Sequence, residues 1–121
     1  MTNRQKPVGF RITQNVSVLT FEGTQFEGAE IEVDLNAPLS LYLEAVDTKD
    51  NESEAISFFM KWVESVVVAW NLQNAKGEPL APTSKDAEKV PPLLLTFALE
   101  RWVGRVTAVP DPLVEASVST Q

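Results

Sequence analysis

Two short stretches decide the fold: VSVLTF at residues 16–21 and AEIEVDL at residues 29–35. In the second stretch apolar and acidic side chains alternate, so Ile31, Val33 and Leu35 share one face of a strand and the carboxylates share the other. Glycines stand in the connection between the two stretches, which suits a turn. The pattern predicts an antiparallel β-hairpin with one buried face and one solvated face.

The hairpin needs further elements, because two strands alone are marginally stable in water. Phe10 and Ile12 are candidates for a third strand that precedes it. Pro38 suits the first turn of a short helix over residues 39–46, where its missing N–H costs nothing.

A long helix is predicted in the middle of the chain, over residues 51–71. Asn51 and Glu54 have the spacing of a capping box, in which both side chains bond free amides at the helix start. At about 1.5 Å per residue the helix would be roughly 30 Å long and would form the central element. Apolar residues recur in it at helical spacing: Ile56, Phe59, Trp62, Val63, Val66, Val67 and Trp70.

The rest of the chain predicts one more helix, over residues 93–106, after a proline pair. Residues 72–83 have loop composition, and residues 84–90 suit a single helical turn. We therefore expect an α+β fold, in which an N-terminal antiparallel hairpin of two or three strands packs on a small bundle of about three helices. One domain spans residues 1–112, and residues 113–121 are expected to form a flexible C-terminal tail.

The composition argues against catalysis. Neither histidine nor cysteine is present, so a Ser-His or Cys-His pair and the common zinc ligands are excluded. We expect no enzyme, no cofactor and no metal site. A carboxylate-based hydrolase that uses Glu30 or Glu32 is the one acid–base alternative that remains, although carboxylates alternating with β-branched residues are typical of a solvated strand face.

The charge and hydropathy patterns also bear on partners and location. The net charge is −7, with ten carboxylates in residues 22–54 against Lys49 alone, which argues against nucleic acid as a partner. The polar N-terminus lacks the apolar core of a signal peptide, and no apolar run approaches a membrane span. We therefore expect a cytoplasmic protein with no membrane partner.

Surplus apolar surface on the long helix predicts a protein partner. The helix carries more apolar residues than one hairpin and one neighbouring helix would normally cover, and aromatic residues are common interface anchors. We expect Phe58, Trp62 and Trp70 to contact a partner, with self-association as one outcome. The acidic strand face would keep the complex soluble or steer a basic client, through three side chains: Glu30, Glu32 and Asp34.

Short motifs over most of the chain resemble the tail assembly chaperones of long-tailed bacteriophages. They are LTFEGTQFEGAEI at residues 19–31, the Pro38-Leu39 pair, VAWNL at 68–72, GEPLAPT at 77–83, and residues 93–102 continued to VPDPL at 109–113. The resemblance implies a cytoplasmic protein that coats the long, helical, hydrophobic tape-measure protein before the tail tube assembles around it. The alternative is a minor structural protein of the virion, such as a tail or head–tail joining component.

Overall fold

A computed structural model describes residues 8–47 and 52–108 of the chain. The described residues form the expected α+β fold, with three strands and four helices. The predicted cap at Asn51 and the predicted tail over residues 113–121 lie outside them. The elements in chain order are β1 (Val16–Thr20), β2 (Glu30–Asp34), α1 (Leu39–Asp47), α2 (Glu52–Val66), β3 (Val67–Trp70), α3 (Ser84–Ala87) and α4 (Pro92–Val106).

The three strands form one antiparallel sheet with β2 in the centre. Leu19 on β1 and Trp70 on β3 both lie opposite Ile31, and Val18 lies opposite Glu32. Residues directly opposite each other in a ladder point to the same face. The predicted alternation is therefore confirmed: Ile31 and Val33 are fully buried on the inner face, and the carboxylates of β2 lie on the outer face.

The prediction of one helix over residues 51–71 was wrong at its C-terminal end. Helix α2 ends at Val66, and the next four residues form β3, which pairs with β2. Three consecutive valines at 66–68 favour this change, because β-branched side chains lose rotamer freedom in a helix and fit a pleated strand. The third strand is therefore β3, whereas Phe10 and Ile12, the predicted candidates, lie outside any strand.

The core lies between the inner face of the sheet and the helices. Trp62 from α2 and Trp102 from α4 meet in its centre, with ring centroids 5.9 Å apart. Helix α4 agrees with the predicted helix over 93–106 to within one residue, and α1 with the predicted helix over 39–46. An ion pair between Lys61 and Glu44, 2.8 Å long, joins α2 to α1. The largest fully buried side chains are Trp62, Trp102, Phe21, Phe58, Leu19, Ile31, Val33, Val63 and Val66.

Candidate functional site

Two of the three predicted apolar contacts are core residues. Phe58 is 1% exposed and Trp62 is fully buried, so neither side chain can touch a partner in this fold, and the prediction was wrong for both. Strand β3 makes the sheet wider than a hairpin, and α4 packs against α2 through Trp102 and Trp62. The sheet and α4 together cover the apolar face of α2. Trp70 is partly exposed, but its indole N–H donates to the carbonyl oxygen of Leu80 at 2.7 Å and joins β3 to the following loop.

The acidic strand face is on the outer side of the sheet, away from Phe58 and Trp62. Glu30 is exposed, while Glu32 and Asp34 are half-buried. One carboxylate oxygen of Asp34 accepts the backbone N–H groups of Asn15 and Asn36, at 3.0 and 2.9 Å. Asp34 is thus a structural residue that closes the end of the hairpin. The face available to a partner is centred on the other two carboxylates.

Helix α1 carries an apolar surface that the sequence analysis missed. Leu39, Leu43 and Val46 are 70, 55 and 47% exposed, while Leu41 and Ala45 face the core. The spacing i, i+4, i+7 places the three exposed side chains in one row along the helix. We call this row the α1 stripe. The signal was present in the sequence, because the nine residues of α1 carry aliphatic side chains on two opposite sides of the helix, and one small domain does not cover both sides.

Residues 8–14, which we call the N-terminal arm, are a second exposed apolar element. Val8, Phe10 and Ile12 are 92, 89 and 73% exposed, with Gly9 and Arg11 between them. The C-terminal end of the arm is anchored, since the Asn36 side-chain amide donates to the Thr13 carbonyl oxygen at 2.8 Å. The arm therefore presents alternating apolar side chains at a fixed point beside β1.

A shallow cleft of about 350 Å³ opens between the β1–β2 connection and the segment before α4. Its apolar lining includes Phe26, Leu80 and Leu94, and its charged side chains are Glu27 and Lys89. The lining of the cleft contains no nucleophile–base pair. Within residues 8–47 and 52–108, no group of three carboxylates converges in a way that would hold a metal ion. The exposed apolar elements are therefore the stronger candidates for function.

The acidic surface near β1 includes one perturbed carboxyl. The hydroxyl of Thr20 donates to the carboxylate of Glu22 at 2.8 Å. This hydrogen bond, and to a smaller extent a hydrogen bond from a backbone N–H, lowers the pKa of Glu22 below its usual value. Hydrogen bonds to the charged form favour ionisation. The carboxyl of Glu22 therefore stays ionised to a lower pH than an unperturbed glutamate does.

In the part of the chain that the structure describes, each helix is too short or too polar to cross a membrane. The chain matches no protein-family profile, no curated protein sequence and no solved structure.

Proposed function

We propose that this protein is a tail assembly chaperone, which holds a helical apolar client noncovalently along the α1 stripe. The proposed client is the tape-measure protein, and the proposed place of action is the cytoplasm of the infected host cell. The exposure of Leu39, Leu43 and Val46 in one row of a folded helix is the observation that carries the proposal. The sequence resemblance supplies the class of client.

The geometry of the stripe suits a helical partner. Two helices pack when side chains at i, i+3, i+4 and i+7 of one enter the grooves of the other, and the α1 stripe has this spacing over two turns. Removal of one exposed leucine from water contributes about 1.5–3 kcal/mol. The stripe has two leucines and one valine, and Leu43 and Val46 are already about half covered, so the apolar area that it offers is small. A small area fits a client that must later be released.

Charges beside the stripe favour a particular client. Glu44 and Asp47 lie on α1 next to Leu43 and Val46, and the four residues line one shallow depression. Glu44 is already paired with Lys61, so Asp47 is the stronger source of negative charge at this depression. An amphipathic client helix with Lys or Arg at the border of its apolar face would match both features.

Copurification with the tape-measure protein of the same phage tests the proposal. Leu43→Ser should weaken the complex by about tenfold or more, since loss of one buried leucine exceeds 1.4 kcal/mol. Leu93→Ser is the matched control, because Leu93 is 46% exposed at the start of α4, outside the stripe. Equal binding by the two variants, or no complex with the unmodified chain at low salt, would refute the proposal.

A further inference from the structure

The N-terminal arm starts close to the α1 stripe. The side-chain amide of Asn36 donates to the Thr13 carbonyl oxygen at 2.8 Å, and Asn36 stands just before α1, whose first residue is Leu39. The short connection between them spans at most about 11 Å. The arm leads away from Thr13 at one side of this point, and the stripe leads away from Leu39 at the other. The arm is therefore tethered within reach of the stripe.

The apolar side chains of the two elements have similar spacing. Alternate residues of an extended chain are about 6.6 Å apart, so the apolar side chains of an extended arm cover about 13 Å. The stripe covers about 10.5 Å from Leu39 to Val46, since a helix rises about 1.5 Å per residue. The two rows can therefore lie side by side, with one arm residue against each residue of the stripe.

The arm shares the chemistry of the proposed client, because it is both apolar and basic. Residues 1–21 carry three basic residues and no carboxylate, whereas α1 carries Glu44 and Asp47 and no basic residue. The C-terminal end of α1 is also the negative end of the helix dipole. Lys6 stands two residues before Val8, so an extended chain presents this cation on the apolar side of the arm. Charge therefore favours contact between the arm and the stripe.

We infer that the N-terminal arm closes over the α1 stripe and occupies the surface that a client helix uses. The structure describes the open arm, in which Phe10 is 89% exposed. On closing, the arm runs along α1 from its root at Thr13, and its basic N-terminal end reaches the acidic C-terminal end of the helix. The side-chain pairs in the closed arm are Ile12 with Leu39, Phe10 with Leu43, and Val8 with Val46.

The tether allows a weak contact to close the arm. A segment anchored beside its site is present at an effective concentration on the order of millimolar, so a contact too weak to hold two separate chains can still fill the site. A client then binds only the open fraction of the chain, which lowers its apparent affinity. The arm thereby excludes weakly bound partners until a client with more contacts displaces it. This competition rests on the proposed function, whereas the closure itself does not.

Intrachain disulfide formation tests the closure. The chain has no cysteine, so Val8→Cys with Val46→Cys gives two thiols that closure brings together, and the other two side-chain pairs stay intact. Adding Phe10→Ser should slow the formation of this disulfide at least about threefold, because loss of one large apolar contact lowers the closed-to-open ratio on the order of tenfold. Mass spectrometry of the monomer measures the rate.

Gly9→Ser, added to the same pair of cysteines, is the matched control. Residue 9 lies on the other side of an extended arm from Phe10, and a Cβ added there meets no atom within 4 Å. The rate with Gly9→Ser should equal that of the cysteine pair alone. Equal rates with Phe10→Ser and Gly9→Ser would overturn the closure.

Client binding tests the competition separately. Phe10→Ser in the otherwise unmodified chain should bind the tape-measure protein at least about threefold more tightly, because a larger fraction of the chain is open. Gly9→Ser should bind it as the unmodified chain does. Equal or weaker binding by Phe10→Ser would overturn the competition. A tape-measure protein that binds none of these chains would refute the proposed function and the competition with it, whereas the disulfide rates, measured without a client, still decide the closure.

Discussion

The indole rings of Trp62 and Trp102 meet edge to face in the core, with their planes inclined at 74°. Trp102 donates its N–H to the Asp34 carbonyl oxygen at 3.0 Å and thereby connects α4 to the end of β2. The N–H of Trp62, although buried, has no hydrogen-bond acceptor among the described residues. The two neighbouring indole rings therefore differ in how much their N–H groups contribute to the stability of the fold.

This difference predicts unequal costs for the same substitution. Trp102→Phe and Trp62→Phe remove similar ring volume, but only the first leaves a backbone carbonyl without its indole donor. We expect Trp102→Phe to lower the free energy of unfolding by about 1 kcal/mol more than Trp62→Phe does. Urea titration followed by far-UV circular dichroism measures both values. A larger loss in the free energy of unfolding for Trp62→Phe than for Trp102→Phe would contradict this prediction.

Asp34 was predicted to contact a partner, and its bonds to two backbone amides predict a role in stability instead. Asp34→Ala should lower the free energy of unfolding by about 1 kcal/mol, because the N–H groups of Asn15 and Asn36 lose a charged acceptor. Glu30→Ala, which removes an exposed carboxylate from the same strand, should change stability by less than about 0.5 kcal/mol. Equal effects in thermal unfolding would contradict this assignment.

Asp86 predicts a pH-dependent contribution to stability. Its carboxylate accepts the Ala81 N–H at 2.7 Å, and this bond, with a smaller attraction from Lys89, lowers the pKa of Asp86 below its usual 3.8. A folded-state pKa below the unfolded one gives stability that is present above the unfolded pKa and is lost as pH falls through the folded pKa.

The difference in stability between the unmodified chain and Asp86→Asn should therefore be constant near neutral pH and should shrink below about pH 3.8. Chemical unfolding of both proteins across this range measures the difference. Glu22 titrates in the same acidic region, but it is common to both proteins and cancels from the comparison. A difference that grows on acidification would contradict the assigned role of Asp86.

The proposed chaperone function gives another prediction, which concerns the finished phage particle. A chaperone leaves its client before the tail is complete, so we expect mass spectrometry of purified virions to detect the major tail proteins and not this chain. A stoichiometric amount in the particle would favour the alternative, a minor structural protein of the tail or of the head–tail junction. Lysate from the same infection is the control, because the chain should be detected there.

The hairpin and α4 could be predicted because their patterns fit only one period. Ile31 and Val33 alternate strictly with carboxylates, and residues 93–106 carry apolar residues at helical spacing. The boundary at Val66 was missed because apolar residues at 66, 67 and 70 fit a helix as well as a strand. Pairing with β2, a tertiary contact, decides between them.

The candidate site was less predictable than the fold. The sequence indicated surplus apolar surface but assigned it to Phe58 and Trp62, since the area that β3 and α4 cover depends on tertiary packing. Leu43 and Phe10 are exposed for the converse reason: α1 packs through its opposite side, and the arm extends beyond the sheet. Which apolar residues remain uncovered is a property of the assembled fold.

Amide hydrogen exchange of the complex with the tape-measure protein can show whether the α1 stripe binds a helical client, as proposed. We expect slower exchange over residues 39–47 in the complex than in the free chain, because a docked helix shields α1 and suppresses its opening. Exchange over residues 92–95 at the start of α4 should be unchanged. A complex that forms without any protection of residues 39–47 would rule out the α1 stripe as the binding surface.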